Sequence, residues 1–276
     1  MCGLFGYDFS RPLAPGVAAR LLRELARLNE RRGPHSWGWF APTPPSGGIR
    51  VRGLGSIIGA EGADFCAMAA YPTIMGHTRY ATHGAVTAAN AHPMRVVGPG
   101  GAGVVAMHNG VVHNHAELNA RLPPNQRVEV DSMHAFRRLA RPEGVAALAD
   151  LRAYGVLVWY RVGTAGLRLA SFDGELSIAR VVDRAGAGRG VVWSSERGAL
   201  LHSLSAAGLV GTILRVEDRR EYVVLKGALS APRAVVPVPH PAPHGNFHPM
   251  RCAEPARAPT FSWVSNWSWP PQGWSK

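Results

Sequence analysis

The sequence is short of cysteine, of lysine and of acids. Three cysteines, Cys2, Cys66 and Cys252, occur in 276 residues. An odd and sparse count builds no disulfide framework and fits a reducing compartment, so the cytoplasm is the expected location. No run approaches the roughly 18 apolar residues of a spanning helix, so no membrane role is expected. The start, Met1-Cys2-Gly3-Leu4-Phe5-Gly6-Tyr7-Asp8, has no basic leader region and meets an acid at Asp8. It does not read as a secretory signal. HExxH and CxxC patterns are absent, as are the P-loop and the dinucleotide-binding glycine fingerprint. Neither metal nor cofactor is expected. Lysine is confined to Lys226 and Lys276, and 30 basic residues outnumber 18 acids, for a net charge of +12. Such a charge invites a nucleic-acid reading. The arginines form no block and run along the whole chain, which fits a solvated surface, so nucleic acid is not an expected partner.

Apolar residues make up 46% of the chain and charged ones 17%, enough to bury a sizeable core. Residues 2–7 read as a strand. Pro15 opens a helical pattern of Val17, Leu21, Leu22, Leu25 and Leu28, stopped by Gly33-Pro34. Strands are expected at 36–40, 49–58, 74–78 and 103–107. Asp131-Ser132 is expected to cap a helix to Leu139, and 145–154 reads as another helix. Further strands fall at 155–162, 167–172, 176–182, 190–194, 211–217 and 221–225, with a helix at 197–207. Strands first alternate with helices and then cluster, which favours a mixed, largely antiparallel α/β sandwich. Residues 231–276 lose periodicity, gain proline and carry Trp263, Trp267, Trp269 and Trp274. They are expected to be an extended or disordered tail behind one folded unit, residues 2–230.

The densest polar cluster holds His77, His83, His92, His108, His113 and His115, with Arg79, Thr82, Asn109 and Asn114. Its spacing supports no metal site. Cys2 stands out for another reason. Removal of the initiator methionine would leave a thiol beside its own α-amine. That amine has an ordinary pKa of about 7.7–8.0 and can act as base to the thiol.

Several ordered motifs then point one way. They are Met1-Cys2-Gly3-Leu4-Phe5-Gly6-Tyr7, Arg32-Gly33-Pro34-His35-Ser36-Trp37-Gly38, Gly76-His77-Thr78-Arg79-Tyr80-Ala81-Thr82-His83-Gly84 and Asn90-Ala91-His92-Pro93. His108-Asn109-Gly110, Val130-Asp131-Ser132 and Ser194-Ser195-Glu196 follow. In this order the chain resembles the class II, N-terminal nucleophile glutamine amidotransferases, most of all the glutaminase domain of glucosamine-6-phosphate synthase.

The resemblance implies an α+β fold, the four-layer αββα sandwich of N-terminal nucleophile hydrolases with largely antiparallel sheets. It implies hydrolysis of L-glutamine to glutamate and ammonia through a γ-glutamyl thioester on Cys2. Asn109 and Gly110 would form the oxyanion hole. Arg79 would fork onto the substrate carboxylate, with Tyr80, Thr82 and His83 in support, and Asp131 would meet the α-ammonium. Arg32, Gly33, His35, Ser36 and His92 would be supporting residues. Two positions depart from the pattern: His35 stands where the family has aspartate, and Tyr80 where it has tryptophan. No synthase domain is expected in the tail, so a separate synthase subunit is the expected ammonia acceptor. A stand-alone hydrolase of another γ-glutamyl amide, and a non-enzymatic basic binding module, are the alternatives.

Overall fold

The computed structural model describes residues 1–43, 47–101, 103–182 and 188–235. The tryptophan-rich segment and Cys252 lie outside the described residues. The chain begins with β1 (Gly3–Phe9), α1 (Pro15–Glu30), β2 (Ser36–Ala41), β3 (Ile49–Leu54), α2 (Phe65–Met68), β4 (Thr73–Arg79), β5 (Met94–Val97) and β6 (Gly103–Val112). Next come α3 (His115–Ala120), α4 (Met133–Leu139), β7 (Ala153–Arg161), β8 (Leu167–Phe172), β9 (Ser177–Val182), β10 (Gly188–Ser194) and α5 (Arg197–Ala206). The last strands are β11 (Val210–Leu214), β12 (Arg220–Leu225), β13 (Ala228–Leu229) and β14 (Arg233–Ala234).

Two antiparallel sheets result. The first runs β11-β9-β10-β1-β4-β2-β3 and the second β13-β12-β8-β7-β6-β5, with β14 also on β12. Side chains alternate across each strand, and the two faces have different partners. In β6, Val105 and Met107 face the other sheet, while Val104 and Ala106 join the core around α4. In β1, Leu4 faces the other sheet while Phe5, Tyr7 and Phe9 pack on the helices of the first sheet. A strand apolar on both faces needs cover on both sides. Helix, sheet, sheet, helix is the packing that supplies it, as expected from the sequence.

Helix α1 covers the first sheet. Its buried stripe is Ala18, Leu21, Leu22, Leu25, Ala26 and Asn29, at helical spacing, with Pro15 in its first turn. Asn29 is the polar member. Its Nδ2 donates to Leu25 O at 2.8 Å and to Ser194 Oγ at 3.0 Å. Its carbonyl accepts from Thr78 Oγ1 at 2.8 Å. One buried residue thus ties α1 to β4 through its backbone carbonyl and to β10 through its side-chain amide. At the far end of β1, buried Asp8 accepts from Thr73 Oγ1 at 2.7 Å and from the Gly227 N–H of the second sheet. Burial pushes its carboxyl above the ordinary value, and the two donors offset part of that rise.

Two expectations need correction. The apolar stretch 145–154 is no α-helix. A short 3-10 turn spans Gly144–Leu148, and Tyr154 already lies in β7. Leu148 and Leu151 are buried beneath α4, and Ala153 must re-enter the sheet opposite Val112, which leaves no length for helical turns. Helix α4 starts where expected, but no side chain caps it, because the Asp131 carboxylate is spent on the Val112 N–H at 2.7 Å. The β14 pairing and buried Val235 carry the ordered body past residue 230.

Asn29→Ala should cost about 1–3 kcal/mol of stability by leaving Ser194 and the Leu25 carbonyl short of a partner. Urea unfolding of the purified protein measures it, and an unchanged midpoint would contradict the role.

Candidate active site

Cys2 precedes β1, a strand buried along its whole length and paired on both sides, to β4 and β10. Its carbonyl accepts from Arg32 Nε at 2.9 Å, and Arg32 Nη1 reaches Glu196 Oε1 at 2.9 Å. The thiol lies against the Tyr80 backbone, with Tyr80 N at 3.4 Å and Tyr80 O at 3.6 Å. Burial pushes the thiol up. The Tyr80 N–H, the chain's amino terminus and Arg79 pull it down, and Asp131 opposes them. The cationic groups at this position are therefore the ones that favour thiolate.

Ser195 connects Cys2 to the second sheet. Its Oγ accepts from the Leu4 N–H at 2.9 Å, and its own N–H returns to Leu4 O at 2.8 Å. The same Oγ accepts from Asn109 Nδ2 at 3.0 Å. A three-residue link therefore joins the start of β1 to the end of β6. Gly110 follows there, and its absent side chain is needed: a Cβ would stand 1.9 Å from Tyr154 O and 2.5 Å from His108 Nε2.

Three buried imidazoles support this end of β6. Strand β5 pairs with β6 only as far as Ala106, so the β6 edge at His108 has no strand beside it. The His108 N–H instead donates to His92 Nδ1 at 3.3 Å, and His108 O accepts from His77 Nε2 at 3.2 Å. Two side chains finish a ladder that a neighbouring strand leaves open. The His108 ring donates from Nε2 to Tyr154 O at 3.1 Å, so its Nδ1 accepts from Ser132 Oγ at 2.9 Å. The acceptor roles of His92 Nδ1 and His108 Nδ1 require neutral rings. Burial, the leading cause, holds His77 down to about 3 and His92 well below the ordinary imidazole value. It also lowers His108.

Arg79, at the end of β4, is almost fully buried. Its Nη2 donates to His83 O at 2.5 Å and its Nη1 to Ala85 O at 3.2 Å, fixing the turn that follows. Burial lowers its pKa, while Cys2, Asp131 and Glu129 counter the shift, which places the guanidinium among those groups. Asp131 Oδ2 is held by the Val112 N–H, and its Oδ1 lies 3.8 Å from His83 Nδ1. The rings of His83, His115 and buried His134 follow one another at 5.3 and 5.2 Å. Among the described residues no three metal-ligating side chains gather as a metal site would require.

The supporting residues surround the Tyr80 segment. Gly33 packs on the Arg79–Tyr80 peptide, where a Cβ would meet Tyr80 N at 2.6 Å. His35 Nδ1 accepts from the Ala81 N–H at 3.0 Å, and its ring lies 4.7 Å from that of Tyr80. Burial first, then Arg79 and the amino terminus, lowers the His35 pKa and keeps that nitrogen bare. An acceptor at this position is what both aspartate and neutral histidine provide. Ser36 is buried in β2 opposite Arg79. Thr82 is exposed on the turn after β4, apart from this cluster. The sequence reading assigned no role to Ser195, His77 or His108. All three lie inside the quoted motifs, so the motifs contained the signal. Asn29 lies in no motif, and only the fold reveals it.

No protein-family model matches the chain. Its sequence is 38% identical over 156 residues to the glutamine–fructose-6-phosphate aminotransferase of Gluconobacter oxydans, covering 54% of this chain and 22% of that protein. The enzyme of the same name from Xylella fastidiosa is 40% identical over 125 residues, covering 44% and 18%. The chain thus spans about a fifth of the curated relatives it matches. Among solved structures, the glutamine phosphoribosylpyrophosphate amidotransferase of B. subtilis superposes with a TM-score of 0.62 at 19% identity, over 83% of this chain and 48% of that one. An allosteric regulatory enzyme of purine biosynthesis gives 0.63 at 21% identity, with the same coverage. The chain shares its fold with these solved structures and part of its sequence with the aminotransferases. The sandwich expected from the sequence is therefore the one observed. Among the described residues no helix is long and apolar enough to cross a membrane.

The neutral histidines set a pH dependence. A ring whose folded pKa lies below its ordinary 6.5 adds stability that is complete above that pH. That stability is lost as pH falls from 6.5 toward about 3, the value for His77. The thermal midpoint should therefore drop across this window. His77→Gln, which keeps a donor for His108 O but has no proton to gain, should drop less. Equal acid profiles for the two proteins would remove this account.

Proposed function

We propose that the chain hydrolyses the side-chain amide of L-glutamine, with Cys2 as nucleophile. The observation that carries this reading is the convergence of Cys2, Arg79 and Asp131 at the start of β1, joined to Asn109 through Ser195. In the mature protein Met1 is removed, and the new α-amine of Cys2 takes the thiol proton. The sulfur attacks the amide carbon. The carbonyl oxygen becomes an oxyanion held by the second Nδ2–H of Asn109 and the Gly110 N–H. The protonated amine hands its proton to the leaving nitrogen, and ammonia departs. Water, activated by the same amine, then hydrolyses the γ-glutamyl thioester to glutamate and frees Cys2.

Arg79 binds the substrate α-carboxylate with its planar fork, and Asp131 binds the α-ammonium. Tyr80 walls the thiol, His83 lies beside Asp131, and Thr82 closes the turn. Burial supports the assignment, because two opposite charges held in a dry pocket discriminate well against substrates lacking either one. The ammonia passes to a separate synthase subunit in the cytosol. The similarity of part of this chain to glutamine–fructose-6-phosphate aminotransferases supports glutamine as the substrate.

Mass spectrometry of the purified protein should show loss of Met1. A glutaminase assay should show glutamate release that Cys2→Ala abolishes. Asn109→Ala should lower kcat by about 10²–10³, the usual worth of one oxyanion donor. Should the isolated chain turn over glutamine too slowly to measure, an electrophilic chloroketone analogue of glutamine should still add one adduct mass at Cys2. Absence of both turnover and adduct would overturn the proposal.

A further inference from the structure

The register of β1 on β10 runs from Phe9 opposite Gly190 to Phe5 opposite Ser194. The next pair in line is Leu4 with Ser195. A hydrogen-bonded antiparallel pair exchanges two backbone bonds. Here the Ser195 N–H donates to Leu4 O at 2.8 Å, while the Leu4 N–H turns to Ser195 Oγ at 2.9 Å. The chain leaves the ladder at this point, because α5 opens two residues later at Arg197. The hydroxyl takes the place of the departing carbonyl. An alanine here would keep the first bond and leave the Leu4 N–H open.

The same oxygen accepts from Asn109 Nδ2 at 3.0 Å. A hydroxyl has two lone pairs, and both are now taken. One serves the strand that follows Cys2, the other the end of β6 in the opposite sheet. Serine and asparagine are both buried. The Asn109 backbone is fixed by its pairing with Val156 of β7. That pairing does not orient the side-chain amide, whose plane turns in a broad, roughly two-fold well. The Ser195 bond does. One Nδ2 hydrogen points at Oγ, and the planarity of the amide then sets the direction of the other.

We propose that Ser195 is a positioning residue, which aims the second Asn109 Nδ2–H at the substrate oxygen and keeps it in register with the Cys2 sulfur. The inference rests on the glutaminase reading and deepens it. Ser195 acts on the reaction only through Asn109. An oxyanion donor is effective because it is already aimed when charge develops. Without the serine the donor remains, but its aim is lost. The loss falls on the transition state, so kcat carries it while KM stays near the parent value.

Steady-state kinetics of the full chain on glutamine test this. Ser195→Ala should lower kcat roughly tenfold or more, within the 10²–10³ that loss of a whole donor costs. Its KM should stay within about twofold of the parent's. Ser195→Thr keeps the hydroxyl and should restore most of the rate, whereas Ser195→Val, of similar bulk, should not. That pair decides the matter should Ser195→Ala fold poorly. Asn109→Ala, alone or combined with Ser195→Ala, should be equally slow, because the serine then has nothing left to aim. Ser203→Ala, which removes a buried hydroxyl of α5, should leave kcat unchanged. Should turnover be too slow to measure, the rate of adduct formation at Cys2 by the chloroketone analogue should rank the variants in the same order. A parent with neither turnover nor adduct brings down the glutaminase reading and this role with it. Two results from an active parent overturn the positioning role alone. One is full kcat in Ser195→Ala and Ser195→Val. The other is a double variant slower than Asn109→Ala by the whole factor of Ser195→Ala.

Discussion

The pairing of β1 on both of its edges is the constraint on which the rest depends. A strand at the start of a chain is ordinarily free to fray. Here β4 and β10 close both sides, and every residue of β1 is buried. Its faces are committed to two different cores, one under α1 and one between the sheets. The position of Cys2 is therefore set by a strand of the first sheet that is buried along its whole length. Cys2 thus sits at the head of a strand that cannot fray.

The second sheet meets this fixed point with hydrogen bonds where its ladder runs out. Beyond Ala106 the edge of β6 has lost its neighbour, and peptide groups left open in a buried layer are costly. His77 and His92 supply the missing donor and acceptor without adding a strand. That leaves Asn109 and Gly110 in β6 beyond the point where β5 pairs with it. Ser195 then spans the gap between the sheets with a single hydroxyl that accepts from both.

Much of this was legible in the sequence, and the reasons differ by feature. The motif residues fall together because they lie at the ends of adjacent strands and in the turns between them, so order along the chain predicts neighbourhood in space. The α1 stripe was readable because a sixteen-residue helix repeats its signal often enough to be seen. The stretch 145–154 misled because Leu148 and Leu151 are spaced as on a helix but serve one short turn and the approach to β7. Asp131 shows the same limit for polar groups. Its sequence context suits a helix cap, yet a strand N–H from a distant part of the chain claims the carboxylate. Local propensity names the group, and tertiary contacts choose its partner.

Asp8 gives the first strand a further property. The strand is held at one end by Arg32 and Ser195 and at the other by the Asp8 contacts to Thr73 and Gly227. Sliding by one residue would exchange its two faces, which neither core tolerates. The smallest slip that preserves the faces is two residues, about 7 Å along the strand. A Cys2 thiol displaced that far would leave the Tyr80 backbone altogether. Register in this sheet is thus quantised, and the Cys2 sulfur has one seat or none.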